Sequence, residues 1–348
     1  MTRWAVVLAG GVGSRFWPLS TPSRPKQLLP LVTDTPLLAE AVERLGALVA
    51  PERVLILTHE ALVAPIAALL PTVPRDNLIA EPRAGGTAAA LTWAAQEISR
   101  RSGPDAVMLS IHADWCVADT AGFQRALGAA GDIAERHQVL VTVGIIPTRP
   151  DPGFGYIQPG AEIGDGARRV ERFVEKPDRA RAETMCRDGY LWNSGIFAWR
   201  VGDFLDDVRR LTPEVSGALH AHANDRHAFF HAVTPVSVDV GVLERTSRVV
   251  VLPGDFGWDD VGTWSALKRV RPNDAAGNAT HGHVYAVDSR DNVVHADDAP
   301  VVLYGVSNLV VVVNHGVVLV TTADKATDLK TLMDALPRGI REIGHEVA

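Results

Sequence analysis

The sequence predicts an α/β protein in which helices cover both faces of a mostly parallel sheet and a small β-rich module follows. Three observations carry this expectation. Short apolar runs alternate with longer amphipathic ones over the first half of the chain, a glycine-rich turn directly follows the first run, and short β-rich runs without helices replace this pattern beyond His283.

Taken in order, Trp4–Ala9, Val54–Thr58, Asp105–Ser110 and Val139–Ile145 are apolar enough to be buried strands. Pro36–Val49, Glu60–Leu70, Thr87–Arg100 and Thr120–His137 place apolar residues three and four apart and are expected to be helices. Right-handed crossovers then bring the strand C-termini to one edge, where open α/β sheets bind ligands. Strands follow near Gly153–Ile157, Arg168–Glu175 and Gly195–Trp199, with helices near Asp178–Asp188, between Val201 and Phe230, and at Val261–Arg269. Past the turn-rich linker Pro272–Asn278, the runs Val284–Val287, Val301–Leu303, Leu309–Val313 and Val317–Val320 form the β-rich module, closed by a helix at Ala323–Leu336. The expected division is a larger domain over residues 1–271 and the module over 280–348.

Composition excludes several classes of protein. Thirty-four Lys+Arg against 41 Asp+Glu give a formal net charge of −7, and Lys and Arg never run longer than a pair, so nucleic acid is not an expected partner. The apolar stretch Leu309–Val320 is cut by Asn314, His315 and Gly316, and Trp4–Leu8 meets Gly10-Gly11 at once; neither a membrane span nor a signal peptide is expected. Cys116 and Cys186 lie far apart without a CxxC pattern, which fits a reducing cytoplasm and argues against a thiolate zinc site. His220, His222, His227 and His231 fall on polar helix faces and are read as solvated surface.

The chemistry starts at Leu8-Ala9-Gly10-Gly11-Val12-Gly13-Ser14-Arg15, which continues through Trp17-Pro18-Leu19-Ser20 to Pro25-Lys26-Gln27. Glycines after a strand let backbone N–H groups approach phosphate oxygens, and Arg15 and Lys26 add positive charge. The dinucleotide pattern fails because Phe16 stands where its third glycine belongs, and the GxxxxGK[ST] loop fails because Lys26 lies far beyond Gly13. What remains is an anion cradle.

This string resembles the signature of the sugar-phosphate nucleotidyltransferases, and Trp17-Pro18-x-Ser20 is similar to the mannose-1-phosphate guanylyltransferase branch in particular. Further resemblances run in order along nearly the whole chain. Glu81-Pro82 with Thr87 is similar to the segment that meets base and ribose, Glu175-Lys176-Pro177 to the Glu-Lys-Pro motif, and Trp192-Asn193-Ser194-Gly195 to the sugar-contacting Asn-Ser-Gly segment. Ser237-Val238-Asp239 with Glu244 and Gly257-Trp258-Asp259-Asp260 resemble the Ser-x-Asp and metal-bearing segments. Taken singly, Glu175-Lys176-Pro177 is a solvated strand end and Asn193-Ser194-Gly195 a turn; it is their joint order that points to function. One departure stands out: His112-Ala113-Asp114-Trp115 replaces the family's Pro-Ala-Asp-His.

The resemblance implies a Rossmann-like catalytic domain, a left-handed β-helix-like module often used for dimerisation, and transfer of GMP from GTP to mannose 1-phosphate. It assigns Leu8, Ala9, Gly10, Gly11, Gly13, Ser14, Glu81, Pro82 and Thr87 to the nucleotide, with Arg15 and Lys26 on the triphosphate. Lys176 meets the attacking phosphate, Gly155, Glu175, Asn193 and Asp239 meet the sugar, and Asp114 and Asp260 hold Mg²⁺ or another divalent cation. Two alternatives stay open: a sibling using UTP or dTTP or another sugar such as a heptose, and a non-catalytic regulatory paralogue. Retention of Arg15, Lys26, Asp114 and Asp260 together favours an enzyme.

Overall fold

The computed structural model describes residues 1–11 and 14–343. The chain divides into two compact units, each drawn from three stretches of sequence. One comprises Met1–Gly10, Val42–His112 and Asp119–Trp258, the other Gly11–Ala41, Ala113–Ala118 and the chain from Asp259 onward.

The first unit is built on a nine-stranded sheet. Its strands are β1 (Arg3–Leu8), β2 (Val54–His59), β3 (Leu78–Glu81), β4 (Val107–His112), β6 (Leu140–Ile145), β7 (Tyr156–Gly164), β8 (Ala167–Val174), β9 (Leu191–Arg200) and β10 (Val249–Gly254), with a short β5 (Cys116–Val117) and β11 (Trp258–Asp259) elsewhere. The spatial order is β3-β2-β1-β4-β9-β6-β10-β8-β7. Strands β1 to β4 pair in parallel, as does β6 with β10, while β9 runs antiparallel to β4 and β6, and β8 to β10 and β7. The sheet is therefore mixed and mostly parallel.

Helices cover both faces. Helix Gly86–Ser102 buries Ala88, Ala89, Ala94 and Ala95, small residues that let it lie close to the sheet, and it shares a core with Val6, Leu55 and Met108. Leu109, the next residue of β4, packs instead beneath Gly131 of helix Thr120–His137. Successive strand residues face opposite sides, so these two helices lie on opposite faces. The register brings Leu8 beside His112, and His59 beside Glu81, at the C-terminal edge of the parallel strands. No helix among the described residues is long and apolar enough to cross a membrane.

The second unit carries the β-rich module: β12 (Ala279–Val287), β13 (Val293–Tyr304), β14 (Leu309–Asn314) and β15 (Val317–Thr322), joined in that order, parallel, parallel and then antiparallel. One face of this sheet, through Val293, Val310, Val312 and Leu319, shares a core with Phe16, Trp17, Leu29, Leu31 and Trp264. The N-terminal segment 16–37 is thus packed on strands that come almost three hundred positions later.

Several elements depart from expectation. Strands β3 and β10 are not among the expected ones; β3 is only four residues long, and Val249-Val250-Val251-Leu252 is a readable apolar run inside β10. Strand β12 starts at Ala279, ahead of the expected change at His283, and β13 starts at Val293. The helices expected at Val261–Arg269 and Ala323–Leu336 are each a 3-10 turn followed by a short α-helix, Leu267–Val270 and Leu329–Ala335.

Candidate active site

In the first unit, Leu8 and Ala9 are buried and leave β1 under firm control: the Ala9 N–H donates to Leu57 O at 2.8 Å, and Thr58 Oγ1 donates to Ala9 O at 3.2 Å. Gly10 follows, exposed; a Cβ there would stand 3.8 Å from Glu81 Oε1, so the carboxylate lies beside this backbone. Burial pushes the Glu81 carboxyl up to about 7, and the Gly85 N–H only partly offsets it. Pro82, half-buried, follows the strand end. Thr87 is held inward, its Oγ1 accepting from Val238 N at 2.8 Å. Gly86, just before it, has φ +80° and would place a Cβ 2.4 Å from Val236 O, so only glycine fits this crossing.

Four residues assigned to the sugar come together in the same unit. Asn193 Nδ2 donates to Asp239 Oδ1 at 2.7 Å, and Asn193 N donates to Gly155 O at 2.8 Å. A Cβ on Gly155 would meet Glu175 Oε2 at 2.9 Å, so the glycine leaves room for that carboxylate. Asp239 opens a π-helical turn, Asp239–Leu243, a local form frequent at functional sites. Its carboxyl is raised, chiefly by burial; the Asn193 bond and the nearby His112 pull it down, and Glu175 pushes it up. Glu244 is raised as well, by burial first and then by Asp239 and Glu175. This is a cluster of carboxylates and an amide, groups that can hydrogen-bond hydroxyls.

Lys176 is exposed and forms an ion pair with Glu175. Its φ of +41° lies in the left-handed region, which costs a residue with a Cβ roughly 1–2 kcal/mol. His112, which the sequence offers as a substitute for the family's histidine replaced by Trp115, ends β4 with its Nε2 where a Cβ on Gly195 would come within 2.8 Å, and Gly195 has φ +72°. The only sequence signal for it is the departure from the family pattern.

In the second unit, Lys26 is 6% exposed and its Nζ lies 3.1 Å from Asp114 Oδ2 and 2.7 Å from the Asp260 carbonyl. Asp114 and Asp260 are both half-buried, and Trp115, at the family's histidine position, is 3% exposed and belongs to the core. Asp259 and Asp260 have different work. Asp259 accepts from Arg269 Nε at 2.8 Å and Nη2 at 3.1 Å and from Val261 N at 2.9 Å. Asp260 sits over Gly262, where a Cβ would come within 2.6 Å of its Oδ2, so the glycine leaves room for the carboxylate. Carboxylate oxygens suit a hard dication such as Mg²⁺. Gly11 and Arg15 are exposed, Ser14 starts a 3-10 turn ending at Phe16, and Gly13 lies outside the described residues.

A buried carboxyl beside the end of β1, a cluster of carboxylates with an amide, and, in the other unit, a buried lysine held by a carboxylate and a carbonyl are groups that can meet anions and hydroxyls, and comparison with known families names the class of the protein. The Nucleotidyl transferase family profile matches residues 4–277, and the chain belongs to that family. Residues 282–336 match the MannoseP isomerase/GMP-like beta-helix domain. The chain is similar to a mannose-1-phosphate guanylyltransferase of Klebsiella pneumoniae, 36% identical over 97% of this chain and 74% of that protein. It is 35% identical to the mannose-1-phosphate guanylyltransferase RfbM of Salmonella typhimurium, over 98% of this chain and 74% of that one. A crystal structure described as mannose-1-phosphate geranyltransferase from Thermus thermophilus superposes with a TM-score of 0.89 at 36% identity, covering 96% of this chain and 99% of the other.

Proposed function

We propose that this protein is a mannose-1-phosphate guanylyltransferase, converting GTP and α-D-mannose 1-phosphate to GDP-mannose and diphosphate. The observation that carries the reading is 36% identity to an enzyme of that name over 97% of the chain.

An oxygen of the sugar phosphate attacks the α-phosphorus of GTP in line, the new P–O bond forms, and the bond to the diphosphate breaks with its electron pair. The nucleophile is already an anion, so the protein has no proton to remove. Its work is to position two anions and neutralise their repulsion. Lys26 and Arg15 face the triphosphate, with the N–H groups of the glycine-rich turn as further donors. Lys176, now paired with Glu175, exchanges that carboxylate for the incoming phosphate. Glu175, Asn193 and Asp239 bind the sugar hydroxyls, and Gly155 leaves them room. Asp114 and Asp260 would hold Mg²⁺, which when bound offsets triphosphate charge. Glu81, Pro82 and Thr87 frame the base and ribose.

A homodimer through the β-rich module belongs to the same proposal. Its support is four exposed side chains in register across β12 and β13, Tyr285 beside Val302 and Val287 beside Tyr304. A cytoplasmic location fits Cys116 and Cys186, which form no disulfide. The functional test is diphosphate release with four nucleoside triphosphates crossed with several sugar 1-phosphates. GTP with mannose 1-phosphate should give the highest kcat/KM, and a higher value for any other pair overturns the reading.

A further inference from the structure

The module brings together His281, His295 and Asp297, whose ligand atoms lie within 4.8 Å of one another, a grouping that could in principle suit a metal. A fourth residue decides otherwise. Arg271, 6% exposed, places Nη2 3.0 Å from His295 Nδ1. A guanidinium can only donate, so Nδ1 accepts, and the proton of the neutral ring sits on Nε2, aimed at Asp297 Oδ1 3.0 Å away. No lone pair is left there for a metal. Burial, with the Arg271 charge next, holds His295 down at about 4, which keeps it in this neutral form. Asp297, His295 and Arg271 form a relay, and His281 stacks on the His295 ring at 4.4 Å.

The far end of the relay is the informative one. Arg271 Nε donates to Leu31 O at 2.6 Å, five residues after Lys26. From β14, Asn314, 2% exposed, donates through Nδ2 to Pro18 O at 3.2 Å, and Trp264 Nε1 donates to Trp17 O at 3.2 Å. Backbone carbonyls on both sides of Lys26 are therefore fastened by side chains from late in the chain. We propose that the β-rich module is a positioning element for Lys26, acting through Arg271, held by His295 and Asp297, and through Asn314. Neither Arg271 nor Asn314 touches the reacting atoms; each fixes the segment from which Lys26 reaches Asp114 and the Asp260 carbonyl. The inference rests on the transferase reading for its kinetic arm only.

The test compares Asn314→Ala, Asp297→Ala and Arg271→Lys with the wild-type chain by hydrogen exchange and by steady-state kinetics. The Leu19, Leu28 and Leu29 amides, bonded within the segment, should exchange about fivefold faster in Asn314→Ala and Asp297→Ala, the loss expected for one buried hydrogen bond. Displacing Lys26 should lower kcat per folded molecule roughly tenfold with KM for mannose 1-phosphate unchanged. Arg271→Lys, which keeps one donor, should fall between. Unchanged exchange in both of the first two variants overturns the proposal, and so does a loss of activity that only tracks the folded fraction. If the wild-type chain fails to join GTP to mannose 1-phosphate, the functional reading alone fails, and the exchange rates still decide the positioning role. Should Asp297→Ala not fold, Asn314→Ala and Arg271→Lys carry both arms.

Discussion

The buried ammonium of Lys26 makes an ion pair with Asp114, Nζ to Oδ2 at 3.1 Å, although 88 positions separate the two residues. A cation withdrawn from water and held by a carboxylate and a carbonyl is preorganised: it needs no rearrangement when negative charge develops near it.

Lys26→Met keeps most of the stem and removes the charge. Diphosphate release should drop on the order of 10²-fold in kcat or more, with the thermal midpoint changed little. Asp114→Asn should also slow turnover, and the double variant should be less impaired than the two single losses multiplied, because they share one interaction. Near-native turnover in Lys26→Met would remove it from the mechanism.

Adjacent aspartates should separate cleanly. Asp260→Asn should raise the Mg²⁺ concentration for half-maximal rate and leave the melting temperature near that of the wild type. Asp259→Asn should instead lower stability by about 1–3 kcal/mol, since it weakens a bidentate contact to Arg269 in a buried setting. A Mg²⁺ titration and a thermal melt on each variant decide this, and the reverse pattern would exchange the two roles.

Glu81 should leave a pH signature. Its carboxyl is raised from 4.5 to about 7 in the folded protein, so between those values the native state binds more protons than the unfolded state. Stability from this group is therefore present below about pH 4.5 and declines as pH rises toward 7. Glu81→Gln, which cannot ionise, should flatten that decline. Melting temperatures of both proteins from pH 4.5 to 8 provide the check; parallel curves would mean that the carboxylate ionises at no cost.

Sugar discrimination should reside in the Asn193–Asp239 pair. Mannose and glucose differ in one hydroxyl, and stranding a buried polar group against the wrong epimer costs roughly 1–3 kcal/mol. Asn193→Ala or Asp239→Asn should thus lower kcat/KM for mannose 1-phosphate more than for glucose 1-phosphate. Lys176→Ala should lower both about equally, because the phosphate is common to them. An unchanged ratio in the first two variants would place epimer recognition elsewhere.

Much of the fold was legible in the residues. The apolar runs of β1, β2, β4 and β6 are periodic enough to read, and the glycine-rich turn with Arg15 and Lys26 reads as an anion cradle from its own residue types, whereas Glu175-Lys176 gains meaning only from its place in the ordered series of motifs. What stayed hidden is long-range. Nothing near Thr87 says that its hydroxyl serves the backbone of Val238, 151 positions on. No local pattern separates Asp259 from Asp260 until Arg269 is seen to engage the first. The antiparallel insertion of β9 between β4 and β6 depends on pairings no single strand encodes, and Arg271, the last residue before the linker, carries no signal until His295 of β13 is seen to accept from it.

The fastening of the Lys26 segment also has a consequence in time. Its side-chain anchors Arg271, Trp264 and Asn314 lie 240, 247 and 296 positions after the carbonyls they bind. A ribosome adding ~5–20 residues per second emits the last of them about 15–60 s after Pro18. During that interval Phe16, Trp17, Leu29 and Leu31 have no module to pack against, so a nascent chain carries the Lys26 segment unfinished until the strands of the module have been made. Chaperones that hold apolar segments would have their longest engagement there.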